Sequence, residues 1–99
     1  MSDDARPLLV FFSSPRSGPA RRMESLLAHL ARKERHRLRV AQVDIDERRD
    51  LAEKLRVDSA PTLVLVKDRR VAARIVGRAS APRIEALIAE HVGGEAAAV

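Results

Sequence analysis

Few side chains in this sequence could act as a nucleophile or as a base. Cysteine is absent, and the histidines are His29, His36 and His91. Ser17 could attack a substrate only with a general base beside it. His29 lies twelve positions further along the helix predicted below, which places it roughly 18 Å away at 1.5 Å per residue. We therefore predict no catalytic residue and expect Ser17 to cap that helix.

The candidate for a metal site is the acidic segment 44–50, which contains Asp44, Asp46, Glu47 and Asp50. A calcium loop needs a glycine at its turn and a bidentate acid at its end, and this segment has neither. Alternation along a strand places Asp44 and Asp46 on the same side. Helix capping and solvation explain these carboxylates better than metal binding does. Thiolate ligands and disulfides are excluded because there is no cysteine. We predict neither a metal nor a cofactor.

The composition is typical of one globular domain with a basic surface. Hydrophobic residues make up 45% of the 99 residues, and the net charge of +5 comes from arginines scattered among acidic residues. Phe11 and Phe12 are the only aromatic residues, and because they lie in an apolar run they cannot stack on nucleobases. Nucleic acid is therefore not an expected partner. The sequence contains no run of about 18 apolar residues, the length needed to span a bilayer. The acidic start MSDDARP is unlike a signal peptide. We expect a cytoplasmic protein that does not contact membranes.

Seven predicted elements position these residues. A continuous apolar run indicates a strand covered on both faces, and apolar residues at i, i+3, i+4 and i+7 indicate an amphipathic helix. With the turn residues as boundaries, these patterns predict strands at 7–12, 38–45, 62–66 and 70–76. They predict helices at 18–33, 47–55 and 81–92. Ser17, Asp46 and Ser80 are the predicted N-caps.

The order β-α-β-α-β-β-α predicts an α/β domain over residues 7–92, with a disordered N-terminus at 1–6 and a flexible tail at 93–99. Two parallel crossovers followed by a hairpin imply a four-stranded mixed sheet covered by helices on both faces. Because aromatic residues are scarce, the core is expected to consist of Leu, Val, Ile and Ala.

The segment around Ser17 resembles the redox loop of the thioredoxin family. RSGPAR, residues 16–21, is similar to the family's tryptophan-CGPC-basic loop, with Ser17 and Ala20 where the two cysteines would be. Arg16 replaces the tryptophan. Phe11 stands where the family has a buried carboxylate that assists the resolving cysteine.

Two further segments carry the same resemblance. VDSAPTLVLVKD, residues 57–68, is similar to the stretch around the family's cis-proline, which would be Pro61. Val76-Gly77 matches the glycine that follows the last strand. The resemblance covers roughly residues 7–92 and implies a minimal thioredoxin-like fold without the extra N-terminal strand and helix of full-length members.

Redox chemistry in this family requires a thiolate at the helix N-terminus and a second thiol that resolves the mixed disulfide. Neither Ser17 nor Ala20 can supply one. We therefore interpret the chain as a redox-inactive pseudoenzyme that works as a binding module. The alternative is a thiol–disulfide oxidoreductase whose two active-site cysteines have been replaced at these positions.

The resemblance also implies where a partner would bind. In the family, an extended peptide lies in a groove and pairs with the backbone of the residue before the cis-proline, a form of strand addition. We expect a protein or extended peptide as the partner. The groove carried over to this sequence consists of Arg16, Ser17, Gly18, Pro19, Ala60, Pro61 and Gly77. The alternative for Pro61 is that it only shapes the fold.

A separate hypothesis places an anion at the start of the first helix. Free N–H groups around Gly18 and Ala20, together with the helix dipole, would favour negative charge there. The cations expected to contribute are Arg16, Arg21 and Arg22.

Overall fold

Four strands and three helices follow one another in this computed structural model, which describes residues 6–92. The predicted tail at 93–99 and residues 1–5 of the predicted N-terminal segment lie outside the described residues. The predicted order of elements is confirmed. The strands are β1 (Leu8–Ser13), β2 (Arg39–Asp44), β3 (Thr62–Lys67) and β4 (Arg70–Val76). The helices are α1 (Gly18–Lys33), α2 (Arg49–Lys54) and α3 (Ala81–Val92).

The sheet has the strand order β2-β1-β3-β4, which confirms the four-stranded mixed sheet. Strand β1 pairs in parallel with β2 and antiparallel with β3, and β3 pairs antiparallel with β4. The expectation of two parallel crossovers is therefore wrong for the second one. The chain re-enters the sheet at the end where it left, because β3 begins with Thr62 opposite Phe12, at the end of β1. Helix α2, with six residues, lies within this connection and does not carry the chain along the sheet.

Two apolar clusters hold the helices on opposite faces of the sheet. Phe11 belongs to the cluster beneath α1 and α3, and Phe12 to the cluster beneath α2; both are fully buried. Successive side chains of a strand point to opposite faces, so the apolar run of β1 supplies both clusters. Aliphatic residues form the rest of both clusters except Met23, largely as the composition predicted.

Candidate functional site at the start of the first helix

The loop between β1 and α1 is held by Ser14, which is buried. The Ser14 carbonyl accepts a hydrogen bond from the Ser17 N–H at 3.0 Å, and the Ser14 hydroxyl accepts one from the Arg16 N–H at 3.1 Å. These bonds fold the loop back on itself. Its tip, Arg16, is exposed.

Ser17 caps α1, as predicted. Its Oγ accepts a hydrogen bond from the Ala20 N–H at 3.1 Å, and its carbonyl accepts one from the Arg21 N–H at 3.0 Å. Pro19 lies in the first turn, where a missing N–H costs nothing. The Ser17 hydroxyl also lies 3.4 Å from the Ala60 carbonyl and donates to it. One alcohol therefore joins the start of α1 to the loop that precedes β3.

The proposed anion site loses part of its basis. The expectation of a free N–H at Ala20 is wrong, because the Ser17 hydroxyl accepts that hydrogen bond. Pro19 has no N–H, so the Gly18 N–H is the one left in this turn that could bind an anion. The three arginines do not line one depression either: Arg16 borders one side of the loop, and Arg21 and Arg22 border the other.

The second part of the site is the loop that leads into β3. The Ala60–Pro61 peptide bond is cis, as the resemblance implied. The Gly77 N–H donates to the Pro61 carbonyl at 2.9 Å, and the Thr62 hydroxyl donates to the Ser59 carbonyl at 2.7 Å. The Ala60 N–H has no acceptor among residues 6–92. The structure therefore brings together Ser17 and Ala60, and connects Pro61 with Gly77.

A cleft of about 460 Å³ opens between this pair of loops and α2. Arg16, Ser17 and Ala60 were predicted to bind a ligand, and all three line it. Sequence reasoning missed the rest of its wall, because segment 44–50 was weighed only for metal binding and helix capping, and residues 57–59 only as part of the stretch around Pro61. The missed residues are Ser14, Ile45, Asp46, Arg49, Ala52, Glu53, Val57, Asp58 and Ser59. One sequence feature could have indicated this wall. Arg49 and Glu53 are four residues apart, so they share one face of the predicted helix.

The cleft has an apolar floor and a charged rim. Ile45, Ala52 and Val57 supply apolar surface, and Ala52 and Val57 also belong to the core cluster beneath α2. The charged residues of the rim are Arg16, Arg49, Asp46, Glu53 and Asp58. Both signs are present, so the rim offers hydrogen-bond donors and acceptors without favouring an acidic or a basic ligand.

Asp44, rather than Asp46, organises the start of α2. The Asp44 carboxylate accepts hydrogen bonds from the N–H groups of Asp46 at 2.8 Å and Glu47 at 3.4 Å. The prediction that Asp46 caps the helix is therefore wrong, and the helix begins at Arg49 instead of position 47. An exposed ion pair with Arg48 lowers the pKa of the Asp50 carboxyl, chiefly through a side-chain hydrogen bond. Among residues 6–92, no three His, Asp or Glu side chains converge on one point as metal ligands would.

Arg74 is a further residue that the sequence did not reveal. From β4 its guanidinium donates to the Leu55 carbonyl at 2.8 Å and to the Arg56 carbonyl at 3.0 Å. These carbonyls lie at the end of α2, where helix carbonyls lack partners within the helix. Arg74 thus fixes the segment that runs from α2 to Ala60.

Beneath the loop, Phe11 is fully buried among apolar side chains. Further along α1, the Glu24 carboxylate accepts from the Ser13 hydroxyl and the Gln42 amide, each at 3.3 Å. No carboxylate therefore occupies the position that the resemblance assigned to one.

Comparison with known proteins decides the family. The family model described as Thioredoxin matches residues 1–90. The chain belongs to the thioredoxin family. Thioredoxin of Pseudomonas aeruginosa is 33% identical over 86 residues, which are 87% of this chain and 80% of that protein. Thioredoxin of Chlamydia pneumoniae is 36% identical over 84 residues, 85% of this chain and 81% of that protein.

Other relatives place the domain in longer chains or confirm its fold. The bifunctional thioredoxin reductase/thioredoxin of Mycobacterium leprae is 33% identical over 72 residues, and the match spans only 16% of its length. The crystal structure of the germline-specific thioredoxin Deadhead of Drosophila melanogaster superposes with a TM-score of 0.83 at 30% identity, covering 90% of this chain and 84% of Deadhead. Among residues 6–92 of this thioredoxin-family chain, no helix is both long and apolar enough to cross a membrane.

Replacing Ser17 with alanine removes the acceptor of the Ala20 N–H. We expect Ser17→Ala to lower the free energy of unfolding by about 1 kcal/mol. Ser17→Thr retains a hydroxyl that can accept from the Ala20 N–H and donate to the Ala60 carbonyl, so it should stay within about 0.5 kcal/mol of the parent chain. Urea denaturation followed by circular dichroism measures both. Equal stability of the alanine variant and the parent would show that this side chain does not cap α1.

Proposed function

We propose that this chain is a redox-inactive, cytoplasmic member of the thioredoxin family that binds an extended segment of a protein partner. The binding site is the surface formed by the β1–α1 loop, the Ala60–Pro61 loop and the cleft beside them. Recognition in this proposal depends on backbone pairing and side-chain fit and needs no sulfur.

The observation that carries the proposal is the state of the Ala60 backbone. Its N–H has no acceptor among the described residues, and its carbonyl receives only the long 3.4 Å contact from the Ser17 hydroxyl. Ala60 is half-buried, and its N–H is available to pair with the backbone of a partner. An extended peptide that runs past Ala60 would satisfy both groups, as an added strand does.

The cleft beside Ala60 supports the same proposal. A volume of about 460 Å³ lies within the range typical of ligand pockets. Its floor of Ile45, Ala52 and Val57 could receive an apolar side chain of the peptide, while the mixed charges at the rim contact the peptide's polar groups. The peptide backbone would then pair with Ala60 as one of its side chains enters the cleft.

The absence of catalytic groups supports the redox-inactive part of the proposal. The chain has no cysteine, and a serine alkoxide is inaccessible near neutral pH. Ala20 is fully buried and carries only a methyl group. The buried Phe11 offers no proton acceptor in place of the family's carboxylate. Several parts of the redox machinery are thus missing together.

Selection of peptides from a random 12-residue display library on the immobilised chain tests the binding site. We expect the selected peptide to shift the backbone amide signals of residues 16–20 and 58–61 in an NMR titration. Ala60→Phe fills the cleft mouth and should weaken binding at least about tenfold, or about 1.4 kcal/mol. The matched control is Ala28→Phe on the exposed side of α1, which should bind as the parent does. Equal binding by Ala60→Phe and the parent would overturn the proposed site.

Restoring both cysteines separates a pseudoenzyme from an oxidoreductase whose cysteines were replaced. The double variant Ser17→Cys, Ala20→Cys should reduce insulin on the order of 100-fold more slowly than Pseudomonas aeruginosa thioredoxin, because proton transfer by a positioned group contributes about 10²–10⁴-fold and Phe11 cannot supply it. Circular dichroism verifies that the variant is folded, and the parent chain is the negative control. A rate equal to that of the comparison thioredoxin would favour the oxidoreductase.

A further inference from the structure

Strand β4 presents an open edge of the sheet. It pairs with β3 on one side only. The Gly77 N–H bonds to the Pro61 carbonyl, and hydrogen-bonded pairs alternate along an antiparallel ladder. Ala73 and Ile75 therefore direct their backbone groups to β3. The N–H and carbonyl groups of Arg74 and Val76 face the open edge.

The same strand carries the exposed large hydrophobic residues of the described chain. These are Val71, 42% exposed, and Val76, 64% exposed. Their cross-strand neighbours are Val66 and Thr62. Valine is favoured on strand surfaces that pack against other side chains. At this edge, Val71 and Val76 are left exposed. Backbone groups and apolar side chains are thus available together on one short segment.

The charge around this edge has a single sign. Residues 69–83 contain five arginines and no acidic residue. All five are exposed, and none forms an ion pair with another described residue. Asp68, in the hairpin turn, is the nearest acidic residue in sequence. The arginines are Arg69, Arg70, Arg74, Arg78 and Arg83.

Protection against aggregation does not account for the whole arrangement. Charged residues and bulges often protect edge strands from unwanted pairing. The irregularity in β4 lies opposite Leu65 and Val66, near the hairpin turn, so the ladder from residue 73 to Gly77 stays regular. An edge designed only to repel would also not expose Val76.

A second copy of this chain is a poor occupant of the edge. Pairing β4 with β4 of another copy would bring two uncompensated sets of arginines together, and like charges facing each other across strands are destabilising. The opposite edge, β2, carries both Arg39 and Asp44 and has no such preference for one sign. The charge pattern of the β4 edge selects an acidic occupant.

We propose that the β4 edge, residues 71–78, binds an acidic, extended segment of a protein partner by strand addition. The backbone of the segment pairs with Arg74 and Val76. Its alternate apolar side chains cover Val71 and Val76, and its carboxylates contact the arginines that flank the strand. Gly77 borders both this edge and the groove at Ala60, but the pairing residues Arg74 and Val76 lie outside that groove, so each proposal has its own test.

The test is an NMR titration with the blocked peptide Glu-Val-Glu-Val-Glu-Val-Glu. The expected result is a set of amide shifts concentrated at residues 71–76, with affinity that falls as salt increases. The double variant Arg70→Glu, Arg78→Glu should weaken binding at least tenfold. The control Arg32→Glu replaces one exposed arginine on α1, away from β4. Its binding affinity should stay within about twofold of the parent's, a margin that includes the effect of the changed net charge.

Two control ligands separate strand addition from simple charge attraction. The same peptide with a central proline cannot complete the ladder and should bind at least tenfold more weakly. A ten-nucleotide oligo(dT) probes nucleic acid as the alternative polyanion. Equal binding of the proline peptide, tighter binding of oligo(dT), or shifts confined to residues 16–20 and 58–61 would each overturn the assignment of this edge. The last outcome would leave the proposed groove at Ala60 intact.

Discussion

The antiparallel pairing of β3 with β1 is the constraint on which the arrangement of the site depends. Because the two strands run in opposite directions, β3 begins at the end where β1 finishes, and Thr62 pairs with Phe12. The Ala60–Pro61 loop then reaches the start of α1, and the Ser17 hydroxyl donates to the Ala60 carbonyl. The cleft forms between these loops and α2. The direction of β3 therefore determines where a ligand could bind.

Serine at position 17 caps α1 and contacts the loop before β3, but it cannot supply a thiolate. Its side-chain oxygen accepts from the Ala20 N–H and donates to the Ala60 carbonyl. A thiolate is the reactive species in thiol–disulfide exchange, and a serine hydroxyl stays protonated near neutral pH. Buried Phe11 packs in the core beneath the loop, whereas a carboxylate at that position would require partners. These features support the proposed role in recognition.

Local patterns in the sequence predicted the elements because each pattern reflects one local cause. The apolar run ending at Phe12 predicted a strand buried on both faces, and Ser17 before Pro19 predicted a helix start. The family resemblance supplied the cis peptide bond at Pro61, which no local pattern could. The direction of β3 was missed, because a helix between two strands was interpreted as a parallel crossover and no local pattern reports the direction of a strand. The role of Asp44 was missed because the turn before α2 was assigned to the helix.

The walls of the cleft were beyond sequence reasoning for a similar reason. Its residues come from three segments that meet only in the folded chain, and each has a plausible local role. Arg74 is the clearest example. In the sequence of β4 it looks like any other exposed arginine, but its guanidinium donates to the carbonyls of Leu55 and Arg56, nearly twenty residues earlier. Contacts of that kind follow from tertiary packing and leave no periodic signal. The same limit applies to Ala60, whose N–H finds no acceptor within residues 6–92, a fact that only the folded structure reveals.

Amide hydrogen exchange at Ala60 shows whether its N–H is available to a partner. The Gly77 N–H, which bonds to the Pro61 carbonyl at 2.9 Å, serves as an internal reference in the same part of the molecule. We expect the Ala60 amide to exchange near the rate of an unstructured chain, and the Gly77 amide to be protected because its exchange requires local opening. Protection of Ala60 as strong as that of Gly77 would rule out the proposed pairing, since the Ala60 N–H would then already have an acceptor.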